Sequence, residues 1–376
     1  MIYFDNSATT RVHNDVAELV MNTMKEEYGN PSSLHHFGMD AYQIVGNARA
    51  QIANTLGAHT DAVLFTSNGT DSNNLAIFGS VYASFGRKKI VTTAIEHSSI
   101  LEPMRQLEKE GYTVVYVKPN EKTHRIEAQD VIDQADEDTI LVSVMHANNE
   151  TGEILPIEKI CEGVKKKDPQ ILVHTDCVQS YGKIPTPLYK MKVDLLSASG
   201  HKFHAPKGIG FLYVKHGVKL KKSAFGGSQE RGFRPGTENV PGIAGIGLAA
   251  DKAMLEMERN HRHVCEINNA FRTRILSEFP DAIINSTSDS IPYVLNISFP
   301  GYHSQDLITK LGMRDIYVSA GAACNKNTPS HVLEAMGLAP ELVSSALRIS
   351  FSEDNTLEEV NIFLDTLQEL LKETEV

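Results

Sequence analysis

Seven short apolar runs in the first 215 residues, most of them separated by segments of helical spacing, constrain this chain more than any other feature. They are AVLFT (62–66), KIVTTA (89–94), TVVYV (113–117), TILVSVMH (139–146), ILVHTD (171–176), DLLSAS (194–199) and IGFLYV (209–214). Continuous apolar runs of this length read as strands buried on both faces. The intervening helical segments include 70–85, 99–110 and 156–167. Strand–helix–strand alternation of this kind folds into a mostly parallel sheet with helices on both faces. A long helix over 239–279 follows, opened near Pro241. Beyond it the pattern changes, with strands at 293–299 and 346–352 among helices at 303–311, 329–336 and 356–373. The expected fold is α/β: a mostly parallel seven-stranded sheet plus a smaller α+β C-terminal domain. The 376 residues suit two such units. A large domain is expected over 15–254, and a small one over 255–376 joined by residues 1–14.

Composition removes several classes of function. The formal net charge is −11, and tight basic runs such as Lys165-Lys166-Lys167 are short, so nucleic acid is not an expected partner. That run suits cations placed at a helix C-terminus. No apolar stretch approaches the length of a membrane span, and MIYFDNSATT does not have the basic flank and apolar core of a signal segment. A cytoplasmic location is expected. The four cysteines, Cys161, Cys177, Cys265 and Cys324, are widely spaced without a CxxC pair, which fits neither a disulfide framework nor a zinc site. The His201–His204 spacing beside Lys202 does not suggest a metal, and none is expected. GIGLAA (245–250) imitates part of a dinucleotide fingerprint, but with no strand before it the glycines read as helix packing.

In open α/β sheets, ligands bind beyond the carboxyl ends of the strands. Here those ends carry polar groups in turn. AVLFT leads into SNGTDSNN, a turn opening a helix, with Gly69 and Thr70 at its start. Free N–H groups at such a start can cradle phosphate, although a simple capping turn would look the same. The later strands deliver Glu96-His97, Asn148-Asn149-Glu150, Asp176 with Gln179, and Ser199-Gly200-His201-Lys202. Each has a plain structural explanation alone. Together they suit one ligand: a phosphate on a helix start, a carboxylate for a ring nitrogen, an imidazole to stack, and an amine to react with an aldehyde. That is the chemistry of pyridoxal 5'-phosphate. Lys202 follows a strand end directly and is the expected amine, while Lys207 beside Gly208 reads as a surface residue.

At this point the chain resembles the cysteine desulfurases, members of the class V aminotransferase group with the type I pyridoxal phosphate fold. The resemblance rests on YFDNSATT, YGNPSSLHHFG, FTSNGTDSNN, NNETGEILPI, HTDCVQSYGKIP, SGHKFHAPKGIGFLYV, GGSQERGFRPGTENV and SALRISFS, in order along nearly the whole chain. It implies that Lys202 holds the cofactor through its amine, that Asp176 pairs with the ring nitrogen, and that His97 stacks on the ring and moves protons. It places Gln179 and Asn149 at the ring oxygen, with Asn149 also reaching substrate. Gly69, Thr70, Ser199 and His201 fall at the phosphate, and Thr237 in a loop that enters the second subunit of a homodimer. Arg348 would hold the substrate carboxylate. Cys324 would take sulfur from L-cysteine, leaving L-alanine and an enzyme persulfide for a sulfur-acceptor protein in iron–sulfur cluster assembly or thiolation. Lys326 and His331 stand near enough in sequence to favour its thiolate. Cys161, Cys177 and Cys265 read as packing residues.

The chain departs from the usual pattern at Gly321-Ala322-Ala323-Cys324, where Ser commonly precedes the last Ala. It departs also in the four residues between Cys324 and Pro329, and at Pro235, where Ser is frequent. Two readings compete within the same fold, a selenocysteine lyase and a small-amino-acid aminotransferase. A third is a non-catalytic interaction scaffold, which would not need Lys202, Asp176, His97, Arg348 and Cys324 together.

Overall fold

The computed structural model describes residues 1–321 and 329–374. It opens with β1 (Ile2–Tyr3), and the central sheet follows: β2 (Val63–Thr66), β3 (Lys89–Thr93), β4 (Thr113–Val117), β5 (Thr139–Ser143), β6 (Leu172–Asp176), β7 (Leu195–Ser199) and β8 (Gly210–Val214). Their order is β2-β8-β7-β6-β5-β3-β4. Only β8 runs against its neighbours, pairing antiparallel with β7 and β2, while the remaining pairs are parallel. Every residue of β2, β5, β7 and β8 is buried, as expected of strands covered on both faces.

The run at 139–146 was expected to be strand throughout, but β5 ends at Ser143. Beyond it the chain continues through single backbone bonds, Val144 N–H to His174 O (3.0 Å) and His146 N–H to Asp176 O (2.9 Å). This carries Asn148, Asn149 and Glu150 past the sheet edge.

Helices 14–25 and 36–56 pack against the start of the long helix Val240–Glu278. A Cβ on Gly247 would stand 2.8 Å from the backbone of Ala48, so GIGLAA is indeed a helix-packing element. The long helix serves two cores. Its residues Val240–Ala250 join the core beside the central sheet, and Val264–Ile275 join a second core containing Ile2 and Phe4.

Around that second core lie β9 (Ile283–Ile284), β10 (Val294–Ser298), β11 (Ile316–Tyr317) and β12 (Ala346–Ser350). β12, β10 and β9 form an antiparallel sheet, and β1 pairs in parallel with β11. Phe4 packs edge-on against Phe271, Phe351 and Phe363. The N-terminus is thereby pinned beside β12, and residues 5–10 run on toward the carboxyl ends of the central strands. No described helix is long and apolar enough to cross a membrane.

Candidate active site

The helix Gly69–Ala83 begins where β2 ends, with Asn68 as its cap accepting the Asp71 N–H at 2.9 Å. Gly69 sits so close to β7 and β6 that a Cβ there would meet Val178 Cγ2 at 2.7 Å and Ser199 Cβ at 3.3 Å. The helix start therefore abuts Ser199. The Ser199 hydroxyl oxygen is buried and has no hydrogen-bond partner among the described residues.

Asp176, the last residue of β6, is buried and held at both oxygens. Oδ1 accepts from Val178 N–H (2.8 Å) and Oδ2 from Asn73 Nδ2 (2.7 Å). Burial pushes its carboxyl upward, and the two donors with nearby His97 and Lys202 oppose that shift. His97 caps the helix Ser98–Lys109, its Nδ1 accepting the Ser99 N–H at 3.1 Å.

Lys202 follows β7 on a single helical turn. Its Nζ donates to the carbonyls of Ser7 (2.5 Å) and Ala8 (2.9 Å). Burial, then the cations Arg348 and Lys183, lower its pKa to about 7. A large share of this amine is thus neutral near pH 7, as a nucleophile requires. Gln179 Nε2 donates to the same Ser7 carbonyl at 3.0 Å, and its Oε1 accepts from Lys183 Nζ at 3.3 Å. His201 Nδ1 lies 3.2 Å from Thr9 Oγ1, and burial drops this imidazole to about 4, so it is neutral.

Arg348, in β12, is only 2% exposed. It donates to Asn149 O (3.1 Å), Gly321 O (3.2 Å) and Asp5 Oδ1 (2.8 Å). Its Nε and the neighbouring Asn149 Oδ1 are buried without partners among the described residues. A guanidinium with an open Nε can still receive a second carboxylate.

Lys202, Asp176, His97, Gln179, Asn149, Ser199, His201, Gly69 and Arg348 therefore converge. Thr70 is exposed at the helix start beside Gly69, and Thr237 is exposed on the loop before the long helix. Cys324 and Lys326 lie outside the described residues. His331 directs Nε2 to Glu96 O at 2.9 Å. Cys161 and Cys177 are buried, with thiols pushed up to about 11 and about 12, which suits inert packing. Lys207 is exposed. Residue-by-residue reading missed Asp5, Ser7, Ala8, Asn73 and Ser99. The first three come from a segment some 170 to 340 residues away from its partners, and the last two look like ordinary helix-start residues.

His204 gathers with His13 and Glu353 behind Lys202. The two imidazoles are stacked, 4.3 Å apart and 13° from parallel, so their lone pairs run side by side instead of converging as two metal ligands must. The cluster reads instead as an ion pair, His204 Nε2 to Glu353 at 3.3 Å, with Asn260 Nδ2 donating to the same carboxylate at 3.0 Å. The pair raises His204 and holds Glu353 down to about 2. Glu353→Gln should cost about 1–3 kcal/mol of stability near pH 6, since it removes the charged partner of a mostly buried imidazole that burial then drives toward its neutral form. The carboxylate's contribution is lost as pH falls from about 4.5 toward 2. The imidazolium's is lost as pH rises through the elevated His204 pKa. Urea unfolding at a series of pH values should show the gap between wild type and variant narrowing in alkali.

A family profile described as aminotransferase class-V matches residues 2–363. The chain is 39% identical over 375 residues to cysteine desulfurase IscS of Dictyoglomus turgidum, covering 99% of this chain and 94% of that protein. A solved NifS-like protein superposes with a TM-score of 0.93 at 39% identity, over 99% of each chain. SspA, solved in complex with cysteine, superposes with a TM-score of 0.83 at 33% identity, over 95% of this chain and all of that one. Whole-length agreement in sequence and in fold leads to one assignment: this chain is an enzyme of the class V aminotransferase family and belongs to its cysteine desulfurases.

Proposed function

We propose that this chain binds pyridoxal 5'-phosphate at Lys202 and moves sulfur from L-cysteine to Cys324. The observation that carries this reading is a neutral-prone amine, a doubly held carboxylate and an open buried guanidinium facing one site. Ser199 Oγ, Asn149 Oδ1 and Arg348 Nε are buried without partners among the described residues, and a phosphate, a ring hydroxyl and a substrate carboxylate would satisfy them.

When bound, the cofactor supplies an electron sink for the carbanion left at the substrate Cα. The protein does the rest. Gly69, Thr70, Ser199 and His201 hold the phosphate at a helix start, joined by Thr237 of a second copy. Asp176 holds the proton of the ring nitrogen, and Gln179 and Asn149 reach the ring oxygen. Arg348 fixes the substrate carboxylate, orienting the Cα–H bond toward Lys202 Nζ, which takes that proton. His97 covers the ring face and carries protons at Nε2.

Cys324 then attacks the substrate sulfur as a thiolate. The Cβ–S bond breaks with its electron pair left on carbon, which takes up a proton, and an S–S bond forms at Cys324. Cysteine plus thiol becomes alanine plus persulfide, balanced without an outside oxidant. The persulfide passes to an acceptor protein.

A second copy of the chain suits the exposed apolar residues at Met24, Tyr28, Leu34, Met39, Tyr42 and Phe225. The loop bearing Phe225 and Thr237 is tied to that region by Gln229 Nε2 to Ser32 Oγ at 3.5 Å.

Incubation with L-cysteine followed by mass spectrometry should yield alanine and one added sulfur on the Cys324 peptide. Alanine without added sulfur on that peptide, or no alanine at all, would reject the assignment.

A further inference from the structure

We propose that Asn73 is a positioning residue: through Ser99 it fixes which nitrogen of His97 carries the proton, and it locks that imidazole to Asp176. The function given to these two residues rests on the reading above, whereas the hydrogen-bond relay stands on the geometry alone.

Asn73 is fully buried, about one turn past the start of the helix that begins at Gly69. Its Nδ2 donates to Asp176 Oδ2 at 2.7 Å and to Ser99 Oγ at 2.8 Å, which uses both of its protons. The amide has one sensible orientation. Flipped, it would set Oδ1 against a carboxylate oxygen, acceptor against acceptor. In the orientation adopted, Oδ1 is left buried and without a partner among the described residues, an expense accepted to keep the donor on Asp176.

The direction of the relay follows. Ser99 Oγ accepts a hydrogen bond from Asn73, and its own hydrogen is free to point at His97 Nδ1, 2.9 Å away. The Ser99 backbone N–H, 3.1 Å from the same Nδ1, adds a second, longer donor that favours a lone pair there without imposing it alone. Two donors converge on Nδ1, so a neutral His97 holds its proton on Nε2. His97 follows β3 and Asp176 ends β6, so they belong to separate arms of the site. Asn73 joins both arms to the helix whose N-terminus would receive the phosphate. One side chain thereby sets three contacts along a single ligand in mutual register.

The test is nitrogen-15 NMR of the full-length chain labelled at histidine, with His97 assigned by the signal lost in His97→Gln. Wild type, with or without pyridoxal phosphate, should show Nδ1 as a bare acceptor and Nε2 protonated. Asn73→Leu touches neither histidine nitrogen, yet it should convert His97 to a mixture of tautomers, and Ser99→Ala should shift it the same way. Ser99→Thr, which keeps the hydroxyl, should restore the wild-type signal. In the holoenzyme, Asn73→Leu should lower kcat about ten- to a hundredfold while KM moves far less, the pattern of a lost alignment acting in the transition state. A wild-type His97 protonated at Nδ1 overturns the proposal, and so do His97 signals unchanged by Asn73→Leu or, should that variant not fold, by Asn73→Ala. If pyridoxal phosphate does not attach to Lys202, the functional reading fails, but the tautomer in the cofactor-free chain still decides the relay.

Discussion

Lys202→Ala should abolish turnover of cysteine, with kcat down roughly 10⁴-fold or more, because one amine both captures the cofactor and takes the substrate proton. Lys183, the other buried lysine nearby, is no substitute. Its amine is engaged with Gln179 Oε1, and its pKa sits higher, at about 8. Lys202→Arg should fail as completely, since a guanidinium stays protonated. Two lysine-dependent measurements separate a chemical role from a structural one. Borohydride reduction of the wild-type holoenzyme should fix the cofactor to the peptide containing Lys202, and to none in the alanine variant.

The rate at which the cofactor-free chain captures pyridoxal phosphate should also depend on pH in a set direction. Only the neutral amine attacks, and burial with Arg348 and Lys183 brings its pKa from 10.5 to about 7. Capture should therefore quicken about tenfold per pH unit below about 7 and level off above it. An ordinary exposed lysine would keep quickening to about pH 10. A capture rate still climbing at pH 9 would remove the desolvated amine from the account.

The central sheet was legible because each of its strands is a continuous apolar run, and six of the seven begin and end within a residue or two of the structure's limits. TILVSVMH was overread, since its last three residues are apolar or aromatic without being in the ladder. They carry the buried chain on toward Asn149, and burial alone cannot separate a strand from its extension. Helix 36–56 is hard to see in sequence for the opposite reason. Its buried stripe uses Ala41, Val45, Ala48, Ile52 and Leu56, and the small residues dilute the period. Single residues at strand ends, such as Asp176 and Lys202, announced the site because strand ends in this topology share one side. Asp5 and the Ser7 and Ala8 carbonyls did not. A backbone carbonyl has no side-chain signature, and Asp5 meets Arg348 only because Phe4 anchors the N-terminus beside β12. Asn73 and Ser99 were hidden in the same way, since polar residues in the first turns of helices are commonplace.

Cys324→Ser should leave cofactor binding intact while removing persulfide from the protein and cutting alanine release from cysteine more than a hundredfold. The argument runs by chemistry and elimination, since Cys324 lies outside the described residues. Breaking the Cβ–S bond with its electrons left on carbon requires a nucleophile at sulfur, and the effective one is a thiolate. Burial holds the Cys161 and Cys177 thiols far above neutrality, and Cys265, partly buried on the long helix, is also raised. None of the three offers much thiolate near pH 7. Gly321, three residues before Cys324 in sequence, gives its carbonyl to Arg348 Nη1, the residue assigned to the substrate carboxylate. Serine at 324 keeps the size and loses the nucleophilicity. Serine at 161, 177 or 265 should change alanine release less than twofold in protein that remains folded. If Cys324→Ser releases alanine at the wild-type rate, sulfur leaves without a protein thiol, and the site behaves as a lyase whose substrate carries a better leaving group, selenium foremost.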